Sequence, residues 1–261
     1  MREYLVYDLP TRLFHWFFAG LFVTAFFIAK TIDDDSPIYV YHMLAGFMLC
    51  FLVILRLLWG FIGTKHARLF EFALHPKDLF SYFKGLVTGD KKLWAGHNPA
   101  SSWSSIIMIF FAIGLGLTGY FMTSGTNKED FEDIHELFAN GFIIVVILHI
   151  AGLIFHTFQH REMIALSMID GKKSKVINAD VIPSAKSNVA VIMILLVVGF
   201  GYYLLKNFST QSKTLQFFGT SLQLGENEES EAADSINEKK ETDKDEKIDK
   251  EIEVGDDSDE D

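Results

Sequence analysis

Four histidines have the most informative placement in this sequence. They are His15, His42, His135 and His149, and each lies inside or at the edge of a long apolar run. A neutral imidazole has one nitrogen lone pair, with which it can ligate a metal ion or take up a proton. Ionisable side chains in apolar surroundings are costly, so we treat all four as candidates for a functional site.

The elements that must position these histidines are predicted to be helices. The chain has 261 residues and holds five apolar segments. Each segment is close to the roughly 20 residues that a helix needs to cross a bilayer. Phe, Ile, Leu, Val and Gly follow one another without a polar face, which predicts helices that are apolar on all sides. The segments cover residues 13–29, 43–62, 103–123, 137–158 and 189–205.

The composition excludes several classes of protein. Phe alone occurs 25 times, far too often for a solvated surface, and the chain before its acidic end is very apolar, which excludes a soluble α/β enzyme. The single cysteine, Cys50, cannot form an intrachain disulfide. The net charge of −11 comes from residues 226–261, which hold 18 acidic and 5 basic residues. The rest of the chain is nearly neutral, so a nucleic-acid partner is not expected.

Positive charge alternates between the loops and predicts the orientation of the spans. The second and fourth loops hold six and five Lys or Arg residues, whereas the first and third hold one each. Under the positive-inside rule the second and fourth loops are cytoplasmic, together with the N-terminus. Five spans then place the C-terminus on the periplasmic side.

This topology sorts the four histidines into two pairs by depth. His135 and His149 are 14 residues apart on the fourth segment. This spacing returns to within about 40° of the same helix face, about 21 Å further along the axis. His15 lies near the inner end of its segment and His42 near the outer end of the next. The sequence therefore predicts an inner pair, His15 with His149, and an outer pair, His42 with His135.

Two neutral histidines that face each other across a helix bundle are the ligand set of bis-histidine haem iron. Glycines near these histidines would let a flat macrocycle approach, although, taken alone, they are better explained by ordinary close packing of helices. The sequence has no Cys-x-x-Cys-His motif, so haem would be bound non-covalently, as b-type. Arg12 and Arg56 are candidates for pairing with haem propionates, because guanidinium forms bidentate bonds with carboxylates.

Three motifs resemble the bacterial di-haem cytochrome b family, which includes the b-type cytochrome subunits of Ni,Fe-hydrogenases and bacterial cytochrome b561. The motifs are Val6-Tyr-Asp-Leu-Pro-Thr-Arg-Leu-Phe-His-Trp16, Tyr41-His-Met-Leu-Ala-Gly46 and Gly96-His-Asn-Pro99. The resemblance spans residues 5–165. It implies an all-α, integral membrane four-helix bundle in the bacterial cytoplasmic membrane, with two haem b groups ligated by His15, His42, His135 and His149.

The resemblance also implies electron transfer between the quinone pool and a redox partner in a respiratory chain. That partner would be a c-type cytochrome or an oxidoreductase subunit, and the chain itself could be the membrane anchor subunit of a hydrogenase-like complex. Two alternatives come from other classes of protein. One is a haem-free transporter that relays protons, and the other is a structural membrane anchor without a cofactor. The transporter would require acidic residues within the spans, and the five apolar segments contain no Asp or Glu.

These patterns divide the chain into four parts. Residues 1–175 form the predicted di-haem four-helix domain, 176–187 a cytoplasmic linker and 188–207 a fifth transmembrane helix. Residues 208–261 form a periplasmic, mostly disordered acidic tail, because the tail has too few apolar groups to offset the entropy of ordering. The roles of the fifth helix and the tail do not follow from the resemblance.

Overall fold

A computed structural model describes residues 3–89, 94, 96–124, 128–160, 163–173 and 181–225. Within these ranges the chain is dominated by helices, and five short strands form two small sheets. The helices are α1 (Leu9–Thr31), α2 (Val40–Ile62), α3 (Pro76–Thr88), α4 (Pro99–Thr123), α5 (Lys128–His160), α6 (Ser167–Asp170) and α7 (Ser187–Asn207). The strands are β1 (Tyr4–Leu5), β2 (Lys172–Lys173), β3 (Phe208–Ser209), β4 (Thr214–Phe217) and β5 (Thr220–Gln223).

Among the described residues, five helices are long and apolar enough to cross a membrane, which confirms the five predicted spans. They are α1, α2, α4, α5 and α7. The largest difference from the prediction is the start of α5, which begins nine residues before the apolar segment at residue 137. Acidic residues in the first turns of a helix are favourable because they face its positive dipole end. Hydropathy alone therefore located the apolar part of α5 and missed its acidic beginning.

Helices α1, α2, α4 and α5 form a bundle whose centre is filled by aromatic rings. Phe142 of α5 is 1% exposed and packs with Val53 and Ala112. Its ring centroid lies 4.6 Å from that of Phe22 and 6.0 Å from that of Phe18, both on α1. This aromatic layer lies midway along the bundle, because Phe142 is seven residues from both His135 and His149.

Helix α7 and strands β3–β5 form a unit that packs on the outside of α1 and α2. Met193 and Val197 of α7 are buried against Leu52 of α2. The three strands form an antiparallel sheet with β4 in the middle. A second apolar cluster joins this sheet to the first turns of α2 and the last turn of α7; its buried members are Val40, Leu44, Leu204, Leu215, Leu222 and Leu224.

This sheet differs from the prediction of a mostly disordered tail over residues 208–261. Three strands lie between Phe208 and Gln223, and their sheet has a buried face. The signal was the alternation of apolar and polar residues in Thr214–Phe217 and Thr220–Gln223. Residues 226–261, which carry the acidic charge, lie outside the described residues.

The end of the bundle that carries the N-terminus, called here the inner end, is held together by Asp8. Its side chain is fully buried and caps α1 by accepting a hydrogen bond from the Thr11 amide at 2.9 Å. The same carboxylate accepts hydrogen bonds from the Thr64 hydroxyl at 2.6 Å and from the Trp59 indole at 3.1 Å. One side chain thus joins the start of α1 to the end of α2.

We expect the Asp8→Ala substitution to lower the thermal stability of the protein in detergent. It removes a helix cap and leaves the Trp59 and Thr64 donors without an acceptor, at a cost of roughly 1–3 kcal/mol for each buried unsatisfied group. The measurement is the unfolding temperature followed by tryptophan fluorescence. Glu71→Ala, which removes an exposed carboxylate at the same end of the bundle, is the control and should leave that temperature nearly unchanged. Equal unfolding temperatures for the two variants would contradict the role of Asp8.

Candidate functional site

The predicted outer pair of histidines comes together in the structure. His42 lies in the first turn of α2 and His135 in the third turn of α5, at the end of the bundle opposite the N-terminus, called here the outer end. Their ring centroids are 6.3 Å apart, with the ring planes at 73°. Imidazole nitrogens bind metals at about 2.0–2.1 Å. Two imidazoles on opposite sides of one metal ion therefore have centroids a little over 6 Å apart.

Hydrogen bonds fix which nitrogen of each outer histidine carries the proton. His42 Nδ1 lies 2.8 Å from the Ala25 carbonyl oxygen, which can only accept, so Nδ1 carries the proton. His135 Nδ1 lies 2.8 Å from the Thr118 hydroxyl, which already donates its own proton to the Gly114 carbonyl at 2.9 Å. Nδ1 must therefore donate here as well. Both rings keep the Nε2 lone pair for another group, as metal-ligating histidines do.

The two histidines of the predicted inner pair lie near each other, but their Nδ1 atoms have weaker hydrogen bonds than those of the outer pair. His15 and His149 lie close enough to interact electrostatically. His149 Nδ1 lies 3.4 Å from the Ser104 hydroxyl, a long hydrogen bond. His15 Nδ1 is buried and has no hydrogen-bond partner among the described residues. The structure therefore groups the four histidines as predicted, with unequal support from their neighbours.

The glycines fall into two classes. A Cβ at Gly114 or Gly141 would clash with a phenylalanine ring of the facing helix, at 2.5 Å from Phe138 and 2.7 Å from Phe111 respectively. These glycines serve the close packing of α4 and α5, the plainer alternative that the sequence left open. Gly46, one helical turn from His42, faces open space. Gly46 therefore leaves room beside the outer histidines.

Both arginines singled out in the sequence lie at the inner end. Arg12, three residues before His15, donates from Nη1 to the Ile169 carbonyl, while its Nε is buried without a hydrogen-bond partner among the described residues. Arg56 is 5% exposed and donates from Nη1 to the Ala67 carbonyl at 2.9 Å. Two positive charges therefore lie at the level of the inner pair.

The donor set fits haem iron better than a protein-ligated metal ion. The described residues hold no group of three or more His, Cys, Asp or Glu side chains that could bind a metal ion. Haem iron takes only two axial ligands from the protein, and its carboxylates need cationic partners. Paired Nε2 atoms, open space beside Gly46 and an unused Arg12 N–H meet these needs.

A family comparison decides the assignment. The chain matches the family model described as prokaryotic cytochrome b561 over residues 6–171, which is well over half of its length. The chain belongs to this family. The matched region contains all four histidines and both arginines discussed above, and it ends before α7.

Curated relatives agree with the family assignment. One is the "Probable Ni/Fe-hydrogenase B-type cytochrome subunit" of Rhizobium leguminosarum bv. viciae, 26% identical, covering 64% of this chain and 87% of the relative. The protein of that name from Rhodobacter capsulatus is 24% identical and covers 65% and 80%. The "Probable Ni/Fe-hydrogenase 1 B-type cytochrome subunit" of Escherichia coli strain K12 is 22% identical and covers 66% and 91%. No solved structure matches the chain.

This member of the cytochrome b561 family is thus a multi-pass membrane b-type cytochrome that transports electrons. The family resemblance seen in the sequence motifs is confirmed. The residues of this b561 protein that support two of the histidines were not predicted from the sequence. The hydroxyls of Thr118 and Ser104, which support His135 and His149, gave only the weak signal of a polar residue within an apolar run.

His97, the histidine of the Gly96–Pro99 motif, lies in aromatic surroundings. It precedes α4, and its ring packs against Phe72, with centroids 4.7 Å apart, and against Tyr7, at 5.4 Å. Burial lowers the pKa of His97 to about 3, and the nearby charges of Arg56 and Lys173 contribute in the same direction. His97 is therefore neutral in the folded protein.

We expect His97 to make the protein less stable as the pH falls below about 6.5, the ordinary pKa of histidine. Between that pH and the folded-state pKa of about 3, the unfolded chain binds a proton that the folded chain does not, so acid favours unfolding. The His97→Phe variant keeps the aromatic packing and removes this proton. Its unfolding temperature should fall less than that of the unmodified protein between pH 7.5 and pH 5. Parallel decreases would show that His97 does not contribute.

Proposed function

We propose that this protein is a di-haem cytochrome b that conducts electrons across the membrane between a redox partner at the outer end and quinone near the inner end. The observation that carries this proposal is the pairing of histidines at two depths, with the Nε2 lone pairs of the outer pair kept free by hydrogen bonds at Nδ1. Family membership supports the electron-transport part of the proposal.

Each histidine would supply one nitrogen ligand to haem iron. His42 and His135 would hold the outer haem b, and His15 and His149 the inner one. When bound, haem b supplies reversible one-electron chemistry at its iron. The Ala25 carbonyl and the Thr118 hydroxyl orient the outer rings, and the Ser104 hydroxyl orients His149.

The two arginines would neutralise the propionates of the inner group. Arg12 has an unused buried N–H one helical turn from His15, so it is the better placed of the two. Arg56 already donates to Ala67 and lies 5.9 Å from the centres of the Phe14 and Phe72 rings. Arg56 would add positive charge, but only some of its N–H groups would be available to donate to a propionate.

We expect the His42→Ala and His149→Ala variants each to lose one of two haems. Removing one axial ligand leaves bis-histidine ligation at the other level intact, so the remaining haem should stay low-spin. The measurement is pyridine-haemochrome content per chain together with the reduced-minus-oxidised spectrum. His75→Ala, an exposed histidine at the inner end, serves as the control and should keep full content. Unchanged haem content in His149→Ala would exclude the assignment of the inner pair.

The proposed orientation has the N-terminus in the cytoplasm and the C-terminus in the periplasm, because the loops at the inner end carry the excess of Lys and Arg. A reporter fused after Lys173 should then be active only as a cytoplasmic reporter, and one fused after Gly225 only as a periplasmic reporter. Gly225 follows the last strand, so the fusion leaves the sheet intact. Reporters on the same side at both sites would mean that α7 does not cross the membrane.

The redox partner at the outer end is proposed to be a hydrogenase-like oxidoreductase, because the relatives are named as cytochrome subunits of Ni/Fe-hydrogenases. The acidic segment 226–261 favours a partner with a basic surface, which could equally be a c-type cytochrome. Identification of the proteins that co-purify in mild detergent distinguishes the two. A hydrogenase in that fraction would make this chain its membrane anchor and electron outlet.

A further inference from the structure

Helix α3 lies beside the bundle at its inner end and, with 13 residues, is too short to cross a membrane. It contacts α4, and its last turn is fixed to the end of α5 by a hydrogen bond from the Gln159 side-chain amide to the Leu86 carbonyl at 2.6 Å. Leu79, Tyr82 and Leu86 are half-buried and, at spacings of three and four residues, share one face of the helix. This packed face leaves the rest of the helix surface open.

A second face of α3 is apolar and exposed. Phe80 is 73% exposed and Phe83 is 52% exposed. The segment that precedes α3 adds another exposed ring, that of Phe70, whose centroid lies 5.6 Å from the ring of Phe61. Phe61 is in the last turn of α2, where this membrane-spanning helix ends. The exposed rings of Phe61 and Phe70 therefore lie at the depth where α2 leaves the membrane, and α3 follows directly.

A third face of α3 is basic and borders the apolar one. Lys77 and Lys84 are both exposed and are seven residues apart. At about 100° per residue they lie within about 20° of each other around the helix axis, and Phe80 lies about 60° to one side of Lys77. Asp78 is the carboxylate of this helix, and it lies on the other side, about 160° from Phe80.

Contacts within the protein do not explain the two lysines. Lys77 is in the first turn of α3, where the positive end of the helix dipole disfavours a cation. Neither lysine has an ion-pair partner among the described residues. The whole segment 63–88 holds four Lys or Arg residues against two Asp or Glu residues. The basic face is therefore open to an anion from outside the chain.

We propose that α3 lies in the membrane surface at the inner end and binds the headgroups of anionic phospholipids. A helix with aromatic side chains on one face and lysines on the next is suited to the boundary between acyl chains and headgroups. Phe80 and Phe83 enter the acyl region, while the long stems of Lys77 and Lys84 carry their ammonium groups to the phosphates. The excess of positive charge favours anionic over zwitterionic lipid. Through Gln159 the bound lipid also stabilises the end of α5.

The first test follows the unfolding temperature of the full-length protein in a non-ionic detergent by tryptophan fluorescence. Phosphatidylglycerol should raise this temperature, because a ligand that binds the folded state stabilises it. Phosphatidylcholine should raise it much less, and inorganic phosphate should not raise it. Lys77→Gln and Lys84→Gln should each increase the phosphatidylglycerol concentration needed for half of the rise by about fivefold.

Lys172→Gln is the matched control, because it removes an exposed cation at the same end that is paired with Glu3 at 3.3 Å. This variant should need the same concentration of phosphatidylglycerol as the unmodified protein. Equal concentrations for the two α3 variants and the control would overturn the proposal, and so would an equal rise with phosphatidylcholine.

A second test reports what α3 contacts. Phe80→Trp keeps an exposed aromatic ring, and the emission that it adds should be quenched in vesicles that contain phospholipids brominated on their acyl chains. Quenching by aqueous iodide alone would place this face in water or against a soluble partner and would overturn the proposal. None of these variants alters the four paired histidines, so haem content per chain should be unchanged in all of them. Failure of the lipid proposal is therefore distinguishable from failure of the proposed di-haem function.

Discussion

A buried imidazole has two ring nitrogens that each need a bonding partner. The structure of this b561 protein depends on the hydrogen bonds made by one of them, Nδ1, in the outer pair of histidines. The Ala25 carbonyl cannot donate, and the Thr118 hydroxyl has already given its proton to Gly114. Each therefore requires a proton on the facing histidine and leaves the lone pair on the far nitrogen. Because these acceptors lie on helices other than those that carry the histidines, the orientation of the imidazole rings depends on the packing of the whole bundle.

The helices are arranged so that a hydrogen-bond acceptor on one helix faces a histidine on another. α5 carries one histidine for each level, and the facing histidines come from α1 and α2. α4 carries none of the four histidines but supplies both hydroxyls, and Gly114 and Gly141 allow α4 and α5 to approach closely. Asp8 joins α1 and α2 at the inner end, and the sheet that follows α7 covers the start of α2 at the outer end. The elements beyond the family region thus brace the helix that carries His42.

The five spans and the grouping of the histidines could be predicted from the sequence, because the spans follow from the lengths of the apolar segments and the grouping follows from helical rise and the alternation of loop charge. Features that depend on contacts between distant segments could not be predicted in the same way. Thr118 and Ser104 are ordinary residues until α5 is placed beside α4. The sheet over residues 208–223 has short strands that are stable only against the apolar ends of α2 and α7. The capping role of Asp8 had a local signal, an aspartate before Leu-Pro, but its bonds to Trp59 and Thr64 did not.

The aromatic layer around Phe142 also bears on energy conservation. Apart from the exposed Glu136, which follows His135 directly, α1, α2, α4 and α5 contain no Asp, Glu, Lys, Arg or further His side chain between the two histidine levels. Phe142, Phe18 and Phe22 pack together there with Val53 and Ala112, so this region offers no chain of groups along which protons could hop. In the proposed di-haem function, electrons would cross this layer by tunnelling, and the bundle would carry current between the two faces of the membrane without dissipating the proton-motive force.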